Sequence, residues 1–155
     1  MSPHREIFTA LVRGSGWTRG AELGVDKGVL FGMLLKHCPD LHLVGVDVFP
    51  DRLRSHRAFD YARDFSDRAR LIVGDTVASA SEIEDGSLDF VFIDADHSYE
   101  SVRRDIDAWR SKVRPGGWFG GHDYNRKFPG VVRAVNFVFG RSVITLPGSI
   151  WSVVA

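Results

Sequence analysis

A chain of 155 residues, 44% hydrophobic and 26% charged, has the balance of a soluble globular protein. That length provides for one domain over residues 1–155 and is too short for two of ordinary size. Twenty basic residues offset twenty acidic ones, which argues against a general polyanion binder, because nucleic-acid affinity rests largely on neutralising phosphates. Cys38 is the only cysteine, so an internal disulfide and a paired-cysteine metal site are excluded, as suits a reducing cytosol. The first residues lack the apolar run of a signal peptide, and no apolar stretch reaches the roughly 18 residues of a membrane span. The expected location is cytoplasmic.

In chain order, Ile7 to Val12 reads as a short opening helix that Gly14-Ser15-Gly16 breaks. Gly20 to Val25 is the first strand. Lys27 to His37 has helical spacing, with Val29, Leu30, Met33 and Leu34 on one face, and Pro39 stops it. Leu41 to Val48 is the second strand. Pro50 and Asp51 punctuate the start of an Arg-rich helix ending near Asp64, whose Arg52, Arg54, Arg57 and Arg63 are expected on its outer face. Leu71 to Val73 is the third strand, followed by a short helix. Leu88 to Ile93 is the fourth, apolar on both faces from Phe90 onward as in a central parallel strand. Tyr99 to Lys112 is a helix with Val102, Ile106 and Trp109 inward. Pro115-Gly116-Gly117 turns into a fifth strand, Trp118 to Gly121, and Val131 to Phe139 is the last helix. Val143 to Leu146 and Ile150 to Val154 close the chain as a hairpin around Pro147-Gly148. Strands alternating with helices imply an α/β fold, a single-domain, doubly wound, mostly parallel sheet with right-handed crossovers. The closing hairpin adds antiparallel strands at one edge.

In such a sheet the ligand crevice lies beyond the carboxyl ends of the strands. Those ends carry acids. The first strand ends in Glu22-Leu23-Gly24-Val25-Asp26-Lys27-Gly28, where Gly24 and Gly28 bracket a tight turn. A dinucleotide fold would want glycine at 24, 26 and 29. Asp26 hinders close approach of a pyrophosphate and would repel it, so the turn suits a nucleoside ligand with positive groups. Asp47, followed by Val48, ends the second strand and can accept two hydrogen bonds from a ribose diol. Gly74-Asp75-Thr76 ends the third; Asp75 either accepts from an adenine amino group or caps the next helix. Strand four runs into Asp94-Ala95-Asp96-His97, and strand five into His122-Asp123-Tyr124.

Taken together, Glu22–Gly28, Val44–Asp47, Val73–Asp75, Asp89–Tyr99 and Val113–Tyr124 resemble the class I S-adenosylmethionine (SAM)-dependent methyltransferases. The resemblance is to a group with an FIDADHSYE…VRPGGW…HDY pattern, related to metal-assisted O-methyltransferases of sugars, polyketide glycosides and catechols. It implies a Rossmann-like methyltransferase fold of seven strands. It implies that Glu22, Gly24 and Gly28 hold the methionine end of SAM, and that Asp47 with Val48 holds the ribose. Gly74, Asp75 and Thr76 would border the adenine, and Asp94 would lie near the methyl-transfer centre. In metal-dependent relatives, aspartates matching Asp94 and Asp123 bind magnesium, and a histidine at the spacing of His97 acts as base. Where relatives commonly carry a second acid or amide, this chain has His122, which shifts preference from magnesium toward manganese, iron or zinc, or toward no metal. The candidate metal set is Asp94, His122 and Asp123.

The implied reaction is methylation of a hydroxyl on a small acceptor, with His97 the first choice of base and His122 the second. Tyr124 and Phe128 either line an acceptor pocket or pack. His4, His37, His42 and His56 have no supporting motif and read as surface or core residues. Many relatives carry a lid before the first strand; the short stretch before residue 20 leaves an acceptor site that is open, or completed by a partner subunit or another segment. The exposed hairpin makes a homodimer plausible. Two alternatives stand beside this reading: a SAM-binding module without activity, and an NAD-binding oxidoreductase. A nucleic-acid amino-methyltransferase lacks its Asn/Asp-Pro-Pro-Tyr-type motif after strand four.

Overall fold

Both faces of the segment Leu88–Ile93 have to be covered, because successive strand side chains point to opposite sides of a sheet. In the computed structural model, which describes residues 3–155, Phe90 and Phe92 pack into one layer and Val91 and Ile93 into the other. The strands are β1 (Arg19–Leu23), β2 (His42–Asp47), β3 (Ala69–Val73), β4 (Leu88–Ile93), β5 (Val113–Gly121), β6 (Ile144–Leu146) and β7 (Ile150–Val154). They form one sheet in the order β3-β2-β1-β4-β5-β7-β6. β1 to β5 are parallel, and β7 runs antiparallel to both β5 and β6. This is the doubly wound sheet with a closing antiparallel hairpin expected from the sequence.

Helices α1 (Pro3–Ser15), α2 (Val29–His37) and α3 (His56–Asp64) cover the Phe90/Phe92 face. The short α4 (Thr76–Ser79) lies beside α5 (Tyr99–Trp109), which with α6 (Pro129–Phe139) covers the other face. Val102, Ile106 and Trp109 of α5 are buried, as their spacing predicts. On the opposite face Phe8 is fully buried, its ring 5.3, 4.3 and 4.9 Å from those of Phe90, Phe92 and Trp118. Among the described residues no helix is long and apolar enough to cross a membrane.

The differences from the sequence reading have local causes. α1 opens at Pro3 rather than Ile7, because its buried stripe begins with His4, one turn before Phe8. α2 starts at Val29 because Gly28 has a φ of +74°, outside the helical region. A Cβ at Gly28 would lie 2.7 Å from Ala58 Cα, so this glycine also lets α3 approach. α3 starts at His56, because Asp51 holds a preceding turn: its Oδ1 accepts from the Arg54 N–H (3.0 Å) and its carbonyl from the Ser55 N–H (3.1 Å). Pro115-Gly116-Gly117 lies within β5 rather than before it, as a shift in pairing opposite Leu88 to Phe90.

The chain order reverses at β1, which has β2 on one side and β4 on the other. Such a reversal splays the crossover connections apart and opens a crevice at the carboxyl ends. Phe8 joins α1 to this central region. Replacing it with alanine should cost about 3–5 kcal/mol, read as a lower urea midpoint with an unchanged slope.

Candidate active site

The sheet's main-chain ladder continues past the carboxyl ends of the strands. Asp94 donates its N–H to Leu23 O (2.7 Å), Gly24 to Val46 O (2.9 Å), Gly74 to Asp47 O (3.0 Å) and His122 to Ile93 O (2.9 Å). The residues that follow the strands are therefore fixed by the sheet itself. They open on a cleft of about 900 Å³ whose walls include Glu22, Gly24, Asp47, Val48, Gly74, Asp75, Thr76, Asp94 and His97. Gly28 does not line it. His122 lines a small adjoining cavity shared with Asp94 and His97.

Each acid is held differently. Asp47 Oδ2 accepts from the Asp26 N–H (2.8 Å) and Oδ1 from the Phe49 N–H (2.7 Å). Asp75 is the N-cap of α4, its Oδ1 accepting from the Ala78 N–H (2.9 Å). Glu22 is 3% exposed, and its Oε2 has no hydrogen-bond partner among the described residues. Burial, reinforced by the Asp94 charge, pushes its carboxyl well above the usual range, with Arg5 pulling the other way. Gly24, at φ +86°, leaves room for the main chain of strand four; a Cβ there would lie 2.1 Å from Asp94 O.

Asp94 is surrounded by imidazoles. His122 Nδ1 is 3.5 Å and His97 Nε2 3.8 Å from Asp94 Oδ1. Burial works against the charge of Asp94, but hydrogen bonds and positive charge from His122, His97 and His4 outweigh it and bring the pKa to about 2. His97 Nε2 also lies 2.7 Å from Asp123 Oδ2. Asp94, opposed by burial and joined by Asp123, raises His97 above the ordinary histidine value. The ring of Phe128 stacks on His97 at 4.4 Å, while Tyr124 donates to Asn136 Oδ1 (2.7 Å). The loop between is tied by Asp96, which accepts from the Ser98 N–H (2.6 Å), and by Ser98, which caps α5.

Residues 21–124 match the methyltransferase domain family. The chain belongs to that family. No curated protein sequence matches it. Among solved structures it is similar to an O-methyltransferase from Bacillus cereus in complex with SAH, at 17% identity and a TM-score of 0.77, over 100% of this chain and 82% of that one. It is equally similar to the O-methyltransferase TomG from Streptomyces achromogenes, involved in tomaymycin synthesis and solved with SAM (17%, TM-score 0.77, 100% and 81% covered). CalS11, a TDP-rhamnose 3′-O-methyltransferase of calicheamicin biosynthesis, matches at 17% identity and a TM-score of 0.72, over 96% and 77%.

This methyltransferase also places in its cleft residues that sequence reasoning passed over. Arg54 lies on the cleft wall, not on an outer helix face, and grips Asp26 with Nε and Nη2 at 2.8 and 3.0 Å. That contact holds the Asp26 carboxyl below its usual range. Arg5 reaches the cleft from α1. Asp105, 2% exposed on α5, lines it as well and accepts the hydroxyl hydrogen of Thr76. Trp109 Nε1 donates to Thr76 O (2.8 Å), so both residues of α5 fix the same turn. An acid amid the inward set Val102, Ile106 and Trp109 was the available signal.

Burial raises Asp105 to about 6, against the opposing Thr76 hydrogen bond. A carboxyl raised on folding favours the folded state only while protonated. Its contribution is complete below about pH 4 and is lost as pH rises through about 6. Asp105→Asn should therefore flatten the profile, gaining on the order of 2–3 kcal/mol over the native chain between those limits. The difference in urea-unfolding free energy between the two proteins at successive pH values measures it.

Proposed function

We propose that this protein transfers a methyl group from SAM to a hydroxyl of a small acceptor, such as a sugar, a glycoside or a diol. The observation that carries the reading is the convergence of four strand-end acids, Glu22, Asp47, Asp75 and Asp94, on one cleft. SAM offers an ammonium, a sulfonium, a ribose diol and an adenine amino group, and each is a cation or a hydrogen-bond donor. A cleft of about 900 Å³ accommodates it with an acceptor alongside.

The residues fit such a ligand in detail. The unpartnered Oε2 of Glu22 calls for a donor, which the ammonium would supply. Each Asp47 oxygen is engaged by one backbone N–H, and a carboxylate oxygen has a further lone pair for a ribose hydroxyl. Val48 is 59% exposed on the cleft wall, an apolar surface for the adenine ring. Asp75 commits Oδ1 to its helix and keeps Oδ2 for the adenine amino group, so capping and recognition are compatible. The Asp26–Arg54 pair occupies the turn where a dinucleotide needs glycine, which favours SAM over NAD.

Methyl transfer is an in-line displacement: the acceptor oxygen bonds the methyl carbon as the carbon–sulfur bond breaks, and the hydroxyl proton must leave. We assign the proton to His97. Its Nε2 is buried against Asp123, which leaves Nδ1 for the acceptor. Asp123 and the stacked Phe128 hold the ring, as the third member of a catalytic triad holds its histidine. Positioning of this kind supplies much of the rate. A divalent ion held at Asp94 and His122 would add acidification of the acceptor hydroxyl. The sugar O-methyltransferase among the similar structures supports a sugar-like acceptor.

Titration calorimetry with S-adenosylhomocysteine tests the cofactor. Micromolar binding is expected, and Asp47→Ala should weaken it by roughly 10–100-fold through lost charge-assisted bonds. His97→Ala should bind within about twofold of the native protein yet lower turnover by about 10²–10⁴, followed as S-adenosylhomocysteine release across a panel of sugars, glycosides and catechols. No binding by the folded protein would overturn the reading. Full turnover in the His97 variant would remove its role as base.

A further inference from the structure

Helix α1 brings a third histidine to Asp94. His4, in the first turn of α1, is 3% exposed, and its ring centroid lies 3.6 Å from that of His122. A ring nitrogen of each histidine and a carboxylate oxygen of Asp94 all fall within 4.8 Å of one another. His122 Nδ1 and Asp94 Oδ1 are 3.5 Å apart. Two ligands that share a zinc-sized ion at about 2.1 Å stand roughly 3.0–3.4 Å from each other. That pair is thus close to ligand spacing before any ion draws it together, and a His4 ring nitrogen lies within 4.8 Å of both.

His4 is held there from two sides. Phe8, one turn later, anchors α1 between Phe90, Phe92 and Trp118. The turn of the closing hairpin presses on its main chain: a Cβ at Gly148 would lie 2.9 Å from His4 N and 3.0 Å from His4 Cα.

We propose that His4, Asp94 and His122 form a binding site for a divalent first-row transition metal, of the zinc, cobalt or iron kind, in preference to magnesium. Two imidazoles and one carboxylate are the donor set such ions favour, whereas magnesium demands oxygen ligands. Asp94, His97 and Asp123 form a second cluster within the same span. There, however, His97 Nε2 and Asp123 Oδ2 already face each other at 2.7 Å, and an ion would have to part them. The His4 site leaves that pair intact: Asp123 Oδ2 stays with His97 while its Oδ1 borders His122 Nδ1 at 3.2 Å, and the metal is held by α1 and the ends of β4 and β5.

The test uses the full chain after chelator treatment, with no SAM or S-adenosylhomocysteine present, so it stands or falls independently of the methyltransferase reading. Co²⁺ is titrated and followed by its visible absorption, then displaced with Zn²⁺; Mg²⁺ is titrated separately. Visible Co²⁺ bands, displacement by Zn²⁺ and no displacement by Mg²⁺ are expected. His4→Gln should weaken Co²⁺ by at least about 10-fold, since even outer partners of metal ligands are worth 10–100-fold. Asp123→Asn keeps all three ligands and removes only a neighbour of one of them, Asp123 Oδ1 lying 3.2 Å from His122 Nδ1, so it should weaken Co²⁺ less than His4→Gln does. Because His4 is buried, ring ¹⁵N shifts of the native protein supply a check that needs no substitution: saturating Zn²⁺ should move the His4 and His122 nitrogens and leave those of His37, His42 and His56 in place. Absence of Co²⁺ binding, tighter binding of Mg²⁺, unmoved His4 resonances, or loss of Co²⁺ in Asp123→Asn but not in a folded His4→Gln would each overturn the proposal.

Discussion

The main-chain bond from Asp94 N–H to Leu23 O (2.7 Å) fixes the centre of this site. It carries the β1–β4 pairing one residue beyond the strand, so the first residue of the acid-rich loop still obeys sheet geometry. The same extension operates at Gly24, Gly74 and His122. A cleft floor built this way needs no long side-chain framework. The requirement it imposes is close packing of the turns: Gly24 exists as glycine because the Asp94 carbonyl occupies the place of its Cβ. Precision at a site is greater when its residues sit on rigid elements than on loops, and here the rigid element is the sheet itself.

Crowding carboxylates around one cleft has an electrostatic cost, and the chain offsets it by different means at each position. Arg54 neutralises Asp26, backbone N–H groups satisfy Asp47, a helix terminus satisfies Asp75, and imidazoles surround Asp94. Glu22 and Asp105 are offset least, and burial raises both. Buried acids without full compensation weaken the fold and prepare it for a ligand that brings donors or positive charge. Stability given up at these two positions is consistent with a cleft made to receive a cation.

Much of this arrangement is legible in the sequence. The continuous apolar run Phe90 to Ile93 identifies a strand covered on both faces, and the ends of the first four strands lead to residues on the cleft wall. What escaped had a physical reason in each case. His4 falls within the surface-or-core reading of the sequence, but which of the two is not legible when the apolar stripe of α1 is started at Ile7, although His4, Phe8 and Val12 lie four residues apart and share the buried face. Arg54 was placed on an outer face because the helix was started near Asp51; the Asp51 turn delays the helix and directs Arg54 to the cleft. Gly28 resembles a ligand-binding glycine by spacing, yet its missing side chain accommodates Ala58. Asp105 breaks the inward apolar pattern of α5, and a pattern read for its hydrophobic members passes over the acid between them.

The closing hairpin connects these features. Its strand β7 pairs with β5 in antiparallel register, Gly121 opposite Trp151, and so brings the turn around Gly148 beside the end of β5, where His122 and Asp123 emerge. That turn receives the Tyr124 N–H on Ser149 O (3.0 Å) and closes on the main chain of His4. Residues far apart in sequence, from the first turn of α1 to the last hairpin, are thereby brought to one carboxylate, Asp94. The two imidazoles His97 and His122 approach it from the two neighbouring strand ends, and His4 approaches from the helix packed across them. A carboxylate with three histidines around it cannot engage all of them equally. Asp123 lies nearer than Asp94 to both His97 (2.7 against 3.8 Å) and His122 (3.2 against 3.5 Å), so the two carboxylates share these rings. Proton handling and ion binding would then meet at one oxygen of Asp94, with Asp123 dividing its two oxygens between the same two rings.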